Sequence, residues 1–298
     1  MTLIPTYADY LARQELQTRP SETDARVHWV RYEQSIHDLV RAMMADPHIQ
    51  GHQGWVTDIL AEELLEAFFG RAWVTEKFAV ADEEGLHRVL PAHRRRELAR
   101  RVFEFQNFSW FQHFVDYIRT NDIPSALYEA DVLAALMYLP GTVVRTEETG
   151  VTGQDFDILV DHHGGRPRIP VEVKNKDDGR EFTANTVQKT VKKAATQLPK
   201  GEVGWLFLKI PTAWIGSRLE NEYGEVLHDA VRQTSRIGAV FTAIDKVHPS
   251  PDGKKVAVSR RWHYFPSNTA PEALLKTSFD LYQLLERDLD FLAPKAPF

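Results

Sequence analysis

The sequence predicts an α/β protein with a helical N-terminal domain, a second domain built on a mixed sheet, and a C-terminal helix. Three observations support this prediction. Apolar and aromatic residues recur at helical spacing through roughly the first 120 residues. The segment 153–176 alternates apolar and charged residues around a glycine turn, which is typical of two strands. Residues 271–289 again place leucines and aromatic residues on one helical face.

The helical region contains three amphipathic runs. Ser21 and Asp24 form a candidate N-cap pair for the first, the second ends at Gly70, and the third is expected to be one long helix. The apolar positions of these runs are Trp29, Tyr32, Ile36, Val40 and Met43, then Trp55, Ile59, Leu60, Leu64 and Phe68, then Leu98, Val102, Phe105, Phe108, Phe111, Val115 and Ile118. Such stripes predict helix–helix packing rather than stacking platforms for bases. The turn-former Asn121 and Pro124 mark the boundary between the domains 1–122 and 123–298.

The composition limits the classes of function. With 298 residues and 43% hydrophobic content, the chain is long enough to bury a large core. It has no cysteine, which excludes disulfides and cysteine-ligated zinc. It has no apolar run of transmembrane length and no secretion signal, so we expect a cytoplasmic protein without a membrane partner. The net charge of −6 argues against a protein that coats nucleic acid indiscriminately.

The segment 153–176 carries the most chemistry. Successive side chains of a strand point to opposite faces, so Glu172 and Lys174 share one face and Val171 and Val173 the other. Asp157 closes the first strand-like run, whose buried alternates are Phe156, Ile158 and Val160, and a hairpin would bring its carboxylate beside Glu172 and Lys174. A carboxylate such as that of Glu172 is unusual in the middle of an apolar strand, which favours a functional site over an ordinary exposed pair of Glu and Lys.

These residue types fit metal-assisted chemistry. Mg²⁺ prefers oxygen ligands, which Asp157, Glu172 and the Val173 carbonyl would supply, and Mn²⁺ is the alternative cation. The cation lowers the pKa of a bound water and offsets charge on a phosphate. A lysine beside it, here Lys174, orients that water or stabilises developing charge. The spacing Asp-x(14)-Glu-x-Lys therefore predicts phosphodiester hydrolysis.

The same residues resemble the PD-(D/E)xK, or restriction-endonuclease-like, nuclease superfamily, on its Mrr-like or resolvase-like side. Asp157 lies before the Glu172-Val-Lys174 triplet, and a predicted helix over 125–139 precedes the hairpin. The resemblance implies an α-β-β-β-α-β core with a mixed sheet, completed by a helix over 182–198 and a strand over 203–210. It also implies an auxiliary acid on the first helix, for which Glu129 is the matching position.

The resemblance covers roughly residues 123–210 and departs from the superfamily pattern in two places. Phe156 stands where proline is usual. The Gln-x(3)-Tyr signature of RecB-like members is missing, since Gln188 is followed four positions later by Lys192. The implied activity is that of a metal-dependent nuclease in restriction, repair or phage defence, with DNA favoured over RNA by analogy with the superfamily. Lys176, Gln188 and Lys192 are candidate contacts to the nucleic-acid backbone.

Several alternatives stay open at this stage. Asp155 lies in the same run as Asp157 and competes with it as the metal ligand. Glu129 is equally well explained as an exposed helix glutamate. A nuclease-like fold that binds nucleic acid or assembles without hydrolysis is the alternative function. The helical domain is compatible with a homodimer or a protein partner.

Two clusters of basic residues accompany the acidic total. One follows the hairpin, with Lys174, Lys176, Arg180, Lys189, Lys192 and Lys193 as its members, and the other consists of Arg94, Arg95, Arg96, Arg100 and Arg101. Either cluster could be a phosphate-binding stripe or a solvated helix face, and for the arginines we favour the solvated face.

Overall fold

The computed structural model describes residues 58–78 except 59, 60, 63 and 67, and residues 86–146 except 107, 138 and 140. Further along the chain it describes residues 151–161 except 152 and 154, and then 168–176, 182–211, 214, 219–249 and 256–287. The chain divides into two compact units, with the main division between Ile123 and Pro124. The predicted helix after Ser21 lies outside the described residues.

The N-terminal unit is helical wherever it is described up to residue 69, and Gly70 follows with a positive φ of 85°. Three helices come next: α1 (Arg71–Lys77), α2 (Leu86–Phe105) and α3 (Phe111–Thr120). The helix ending at Gly70 was therefore predicted correctly. In the described part of the chain, no helix is long and apolar enough to cross a membrane.

The prediction of one long helix through residues 98–118 was wrong, because the run is broken between α2 and α3. The amides of Phe108 and Phe111 donate to the carbonyls of Phe105 and Phe108, each at 3.0 Å, which makes two short turns. The ring of Phe108 stacks on Trp110 with centroids 5.0 Å apart. Phe108 therefore stacks on Trp110 inside the break, instead of continuing the helix that the periodicity suggested.

The C-terminal unit is a six-stranded mixed sheet with helices between its strands, followed by a C-terminal helix. The elements in chain order are α4 (Ile123–Leu136), β1 (Thr142–Arg145), β2 (Ile158–Asp161), β3 (Ile169–Asn175), α5 (Ala184–Gln197), β4 (Gly204–Lys209), α6 (Leu219–Arg232), β5 (Ile237–Pro249), β6 (Val256–Pro266) and α7 (Glu272–Arg287). The strands lie side by side in sequence order. Strands β1, β2 and β3 pair antiparallel, and β4 and β5 continue from β3 in parallel.

The register assigns each strand residue to a face of the sheet. Arg145, Ile158, Val171 and Trp205 lie in one row across β1 to β4, so their side chains share a face. Glu172 and Lys174 pair with Leu206 and Leu208 and therefore lie on the opposite face. The α5 residues Val187 and Val191 pack against the two leucines in one buried cluster, so α5 covers the Glu172 face.

The other face is covered by α4. Ser125 accepts a hydrogen bond from Asn175 at 3.3 Å, and the ring of Tyr128 stacks on Trp262 of β6 with centroids 6.5 Å apart. Asp131 forms an ion pair of 2.7 Å with Arg260 of β6. Helix α4 is thus fixed to two strands, β3 and β6, by polar and aromatic contacts.

Close approach of β3 and β4 requires a glycine at position 204. A Cβ on Gly204 would lie 2.1 Å from the carbonyl oxygen of Pro170, which is far inside van der Waals contact. The parallel pair therefore begins where the absence of a side chain allows the two backbones to meet. This pairing positions Glu172 and Lys174 relative to α5.

Candidate active site

The two carboxylates and the lysine of the predicted site lie together at the N-terminal end of β2. The register pairs of β2 and β3 stop at Ile158 and Val171, and one further step would bring Asp157 opposite Glu172. The amide of Asp157 still donates to the carbonyl of Val171 at 3.1 Å. Beyond this point β3 continues to Asn175 with β4 as its paired neighbour.

Asp157 is anchored to the backbone of β3. Its Oδ2 accepts a hydrogen bond of 2.6 Å from the amide nitrogen of Val173. The carbonyl of Val173 points to the same edge of β3, because the carbonyl of Val171, two residues earlier, accepts from Asp157. The Val173 carbonyl therefore lies on the edge of β3 that faces Asp157.

Glu172 is the most buried member of the site. Its side chain is fully enclosed, whereas that of Lys174 is 23% exposed and forms an ion pair with the Oε1 of Glu172. The other oxygen of Glu172, Oε2, is buried with no hydrogen-bond partner among the described residues. A buried carboxylate oxygen without a partner is costly unless a cation or a proton satisfies it.

The electrostatics of the group follow from this burial. Burial first, and then the charge of Asp157, raises the pKa of Glu172 to about 9, against the opposing effect of Lys174. Burial alone would lower the pKa of Lys174, but the carboxylates of Asp157, Glu172 and Glu129 outweigh it and raise the pKa. Without a cation, a pKa of about 9 leaves the Glu172 carboxyl protonated at neutral pH, and a cation bound there would displace that proton.

Glu129 lies on α4, on the other side of the sheet from Glu172. It is 2% exposed, so the alternative of an exposed helix glutamate is wrong. Its Oε1 accepts a hydrogen bond of 2.6 Å from the Nε of Arg145, which is also buried. Its charge still acts on Glu172 and Lys174. Sequence reasoning missed Arg145, because the short strand that carries it was not assigned.

The competing ligand Asp155 has a different environment. Its carbonyl oxygen accepts a hydrogen bond of 3.3 Å from the Nε2 of Gln197 at the end of α5. The charge that acts on Glu172 and Lys174 is that of Asp157. The geometry therefore favours Asp157 as the carboxylate beside Glu172.

The remaining predicted contacts lie on or near α5. Gln188 and Lys192 are exposed on that helix, and Lys176 is half-buried just after β3, where its amide donates to the carbonyl of Lys209 at 3.1 Å. A cavity of about 480 Å³ opens between α5 and α6. Its lining is Phe182, Thr183, Ala184, Glu222, Glu225 and Val226, so it contains none of the predicted site residues.

The arginine run of α2 is neither a solvated face nor a free basic patch. Arg95 and Arg96 form ion pairs of 2.6 and 2.8 Å with Glu62 and Asp58. Arg101 is fully buried and pairs with Glu104 at 2.7 Å. These arginines are engaged inside the helical unit, so the expectation of a solvated helix face was wrong.

Among the described residues, no cluster of three or more His, Asp or Glu is arranged to hold a metal ion. Asp157 and Glu172 supply two carboxylates, and Mg²⁺ in proteins usually keeps several waters beside one or two carboxylates. The unpartnered oxygen of Glu172 beside Asp157 fits a divalent cation held in this way. Comparison with protein-family models, with curated proteins and with solved structures finds no match for this chain.

Proposed function

We propose that this protein is a metal-dependent nuclease that hydrolyses phosphodiester bonds in DNA. The observation that carries the proposal is the unpartnered, buried Oε2 of Glu172 beside Asp157 and Lys174. The order of elements supports it, since α4, β1, β2, β3, α5 and β4 follow the α-β-β-β-α-β order of the restriction-endonuclease-like core.

Each residue has a distinct role in the proposed reaction. Asp157, Glu172 and the Val173 carbonyl would hold Mg²⁺ or Mn²⁺. When bound, the cation lowers the pKa of a coordinated water and offsets charge on the phosphate. The ammonium of Lys174 is partly exposed beside Glu172, where it can orient the attacking water or a phosphate oxygen. Glu129 adds negative charge from across the sheet, and Arg145 holds its carboxylate in place.

A specific observation favours a second candidate, a nuclease-like module that binds nucleic acid without cutting it. Lys174 occupies the Oε1 of Glu172, and the Val173 amide occupies the Oδ2 of Asp157. These contacts use oxygens that a cation would need. In this alternative the Lys174–Glu172 pair is a permanent structural ion pair, and Mn²⁺ does not bind.

Cleavage of plasmid, linear duplex, single-stranded DNA and RNA tests the proposal. We expect cutting with Mg²⁺ or Mn²⁺, none with EDTA, and a loss of at least a hundredfold in Asp157→Asn and Lys174→Gln. Asp161→Asn is the matched control, because Asp161 lies at the other end of β2 in an exposed pair with Arg168. Asp155→Asn should also keep activity.

Three results would contradict the proposal. Cutting that survives Asp157→Asn, or that EDTA leaves unchanged, would place the chemistry elsewhere. If nothing is cut and calorimetry detects no Mn²⁺ binding to the unaltered protein, the non-catalytic module is favoured instead.

A further inference from the structure

Helix α5 presents a basic surface without internal compensation. Lys189, Lys192 and Lys193 are exposed, and none of them has a carboxylate partner among the residues that the structure describes. The helix itself contains no Asp or Glu. Like charges three and four positions apart on a helix repel each other, so the three lysines lower the stability of the isolated helix. Its inner side, with Val187, Val191 and Ala194, holds it to the sheet instead.

The exposed residues of α5 divide between two flanks. Residues four apart on a helix stack in one row, so Lys189, Lys193 and Gln197 form one row. The Nε2 of Gln197 donates to the carbonyl of Asp155 at 3.3 Å. This row therefore lies on the flank of α5 that faces the segment leading to Asp157.

The second row lies on the opposite flank and consists of Ala184, Gln188 and Lys192. Ala184 lines the cavity between α5 and α6 together with Glu222 and Glu225. Both glutamates are exposed. A polyanion that followed this flank would run toward two carboxylates.

We infer that the flank carrying Lys189 and Lys193 binds the phosphate backbone of DNA and leads it to Asp157 and Glu172. The inference rests on the proposed function for the identity of the polyanion. It moves the expected backbone contacts from Gln188 and Lys192 to Lys189 and Lys193. On the other flank of α5, the negative charges of Glu222 and Glu225 on α6 disfavour binding of the phosphate backbone.

Affinity for backbone phosphates depends on salt in proportion to the number of phosphates neutralised, with a slope near −0.9 per contact on duplex DNA. Binding of a fluorescent duplex to the full chain in EDTA, where metal-dependent cutting is suppressed, gives this slope directly. Lys193→Gln should reduce its magnitude by about 0.9, and Lys189→Gln with Lys193→Gln by about 1.8. Lys192→Gln is the matched control, since it removes the same charge from the adjacent, equally exposed position and should leave the slope unchanged.

The outcomes separate the inference from the proposed function. Equal changes in Lys192→Gln and Lys193→Gln, in protein that still cuts DNA, overturn the inference alone. Binding of RNA with the same dependence on Lys189 and Lys193, without binding of DNA, overturns the assignment to DNA. Absence of any DNA binding by the unaltered chain at low salt overturns both. Thermal melting followed by circular dichroism checks that each variant is folded. We expect melting temperatures close to that of the unaltered protein, because exposed lysines on α5 contribute little to packing.

Discussion

The carboxylate of Asp157 accepts a hydrogen bond from the amide of Val173, with 2.6 Å between Oδ2 and N. The contact lies just beyond the last paired residue of β2. The carboxylate therefore accepts the hydrogen bond that a backbone carbonyl of β2 would accept if the strand pairing continued. This bond holds Asp157 against the strand that carries Glu172 and Lys174. A metal ligand fixed in this way is positioned before any cation arrives.

This hydrogen bond makes Asp157→Ala and Asp157→Asn differ in stability. Alanine leaves the half-buried Val173 amide without its partner, which should lower the free energy of unfolding by about 1–3 kcal/mol. Asparagine keeps an acceptor oxygen and should lower it by less than about 1 kcal/mol. Urea unfolding of both variants, without metal, measures the difference. Equal losses would mean that the hydrogen bond contributes nothing to stability.

Metal should stabilise the folded protein through the same residues. A cation that binds only the native state, at a hundredfold excess over its dissociation constant, adds about 2.7 kcal/mol. We therefore expect Mn²⁺ to raise the melting temperature by several degrees, EDTA to reverse the shift, and Asp157→Asn to abolish it. Scanning calorimetry with Asp161→Asn as the control measures these shifts. A shift that persists in Asp157→Asn would place the cation at another site.

The buried pair of Glu129 and Arg145 should behave as a unit. Removing either partner leaves an uncompensated buried charge, so Glu129→Gln or Arg145→Met should each cost about 3–5 kcal/mol. The double variant should cost clearly less than the two losses added together. A double-mutant cycle by urea unfolding measures the coupling, and additive losses would show that the pair is not coupled.

The same cycle bears on the role of Glu129 in cleavage. If Glu129 only fixes α4 through Arg145, the double variant should cut DNA at nearly the rate of the unaltered protein. If it is an auxiliary acid, the double variant should stay as slow as Glu129→Gln.

Asp245 should make the protein sensitive to acid. Burial alone would raise the pKa of Asp245, but Arg260 and Lys209 outweigh burial and hold the pKa well below its ordinary range. A depressed pKa contributes stability that is present above the unfolded-state pKa of about 3.9 and is lost as the pH falls below it. Asp245→Asn should therefore cost about 3–5 kcal/mol at pH 7 and flatten the loss of stability below about pH 4.

Urea unfolding between pH 7 and pH 2 measures this effect. Asp280→Asn makes the same chemical change at an exposed position of α7 and should leave both the stability and its pH dependence unchanged. An acid-induced loss in Asp245→Asn as steep as in the unaltered protein would assign the effect to other groups.

The local part of the site could be predicted from the sequence, because alternation along a strand is a short-range property. Glu172 and Lys174 share a face of β3 for that reason alone, but the full burial of Glu172 depends on α5, which covers that face. The strand over 203–210 and the helix over 182–198 were also confirmed within a few residues, as β4 and α5. The apolar residues of α5 recur at helical spacing, and β4 is a short continuous apolar run.

The long-range part could not be predicted. Arg145 meets Glu129 across a separation of 16 residues, and Arg96 meets Asp58 across 38. No local pattern shows which acid will neutralise which arginine. The break between α2 and α3 was equally hidden, since Phe108 matches the helical period and yet stacks on Trp110. Tertiary contacts decided each of these cases.

The contact between Asp157 and Val173 changes what related sequences would reveal about this site. An acceptor oxygen at position 157 serves the folding of β3 as well as any chemistry, so selection would retain Asp or Asn there after activity was lost. Among the residues that the structure describes, the side chains of Lys174 and Glu172 make no such hydrogen bond to a strand amide, and an apolar pair could replace both residues together. In a set of homologues, the joint fate of positions 172 and 174 would therefore separate cutting from non-cutting lineages better than the mere presence of an acceptor side chain at 157.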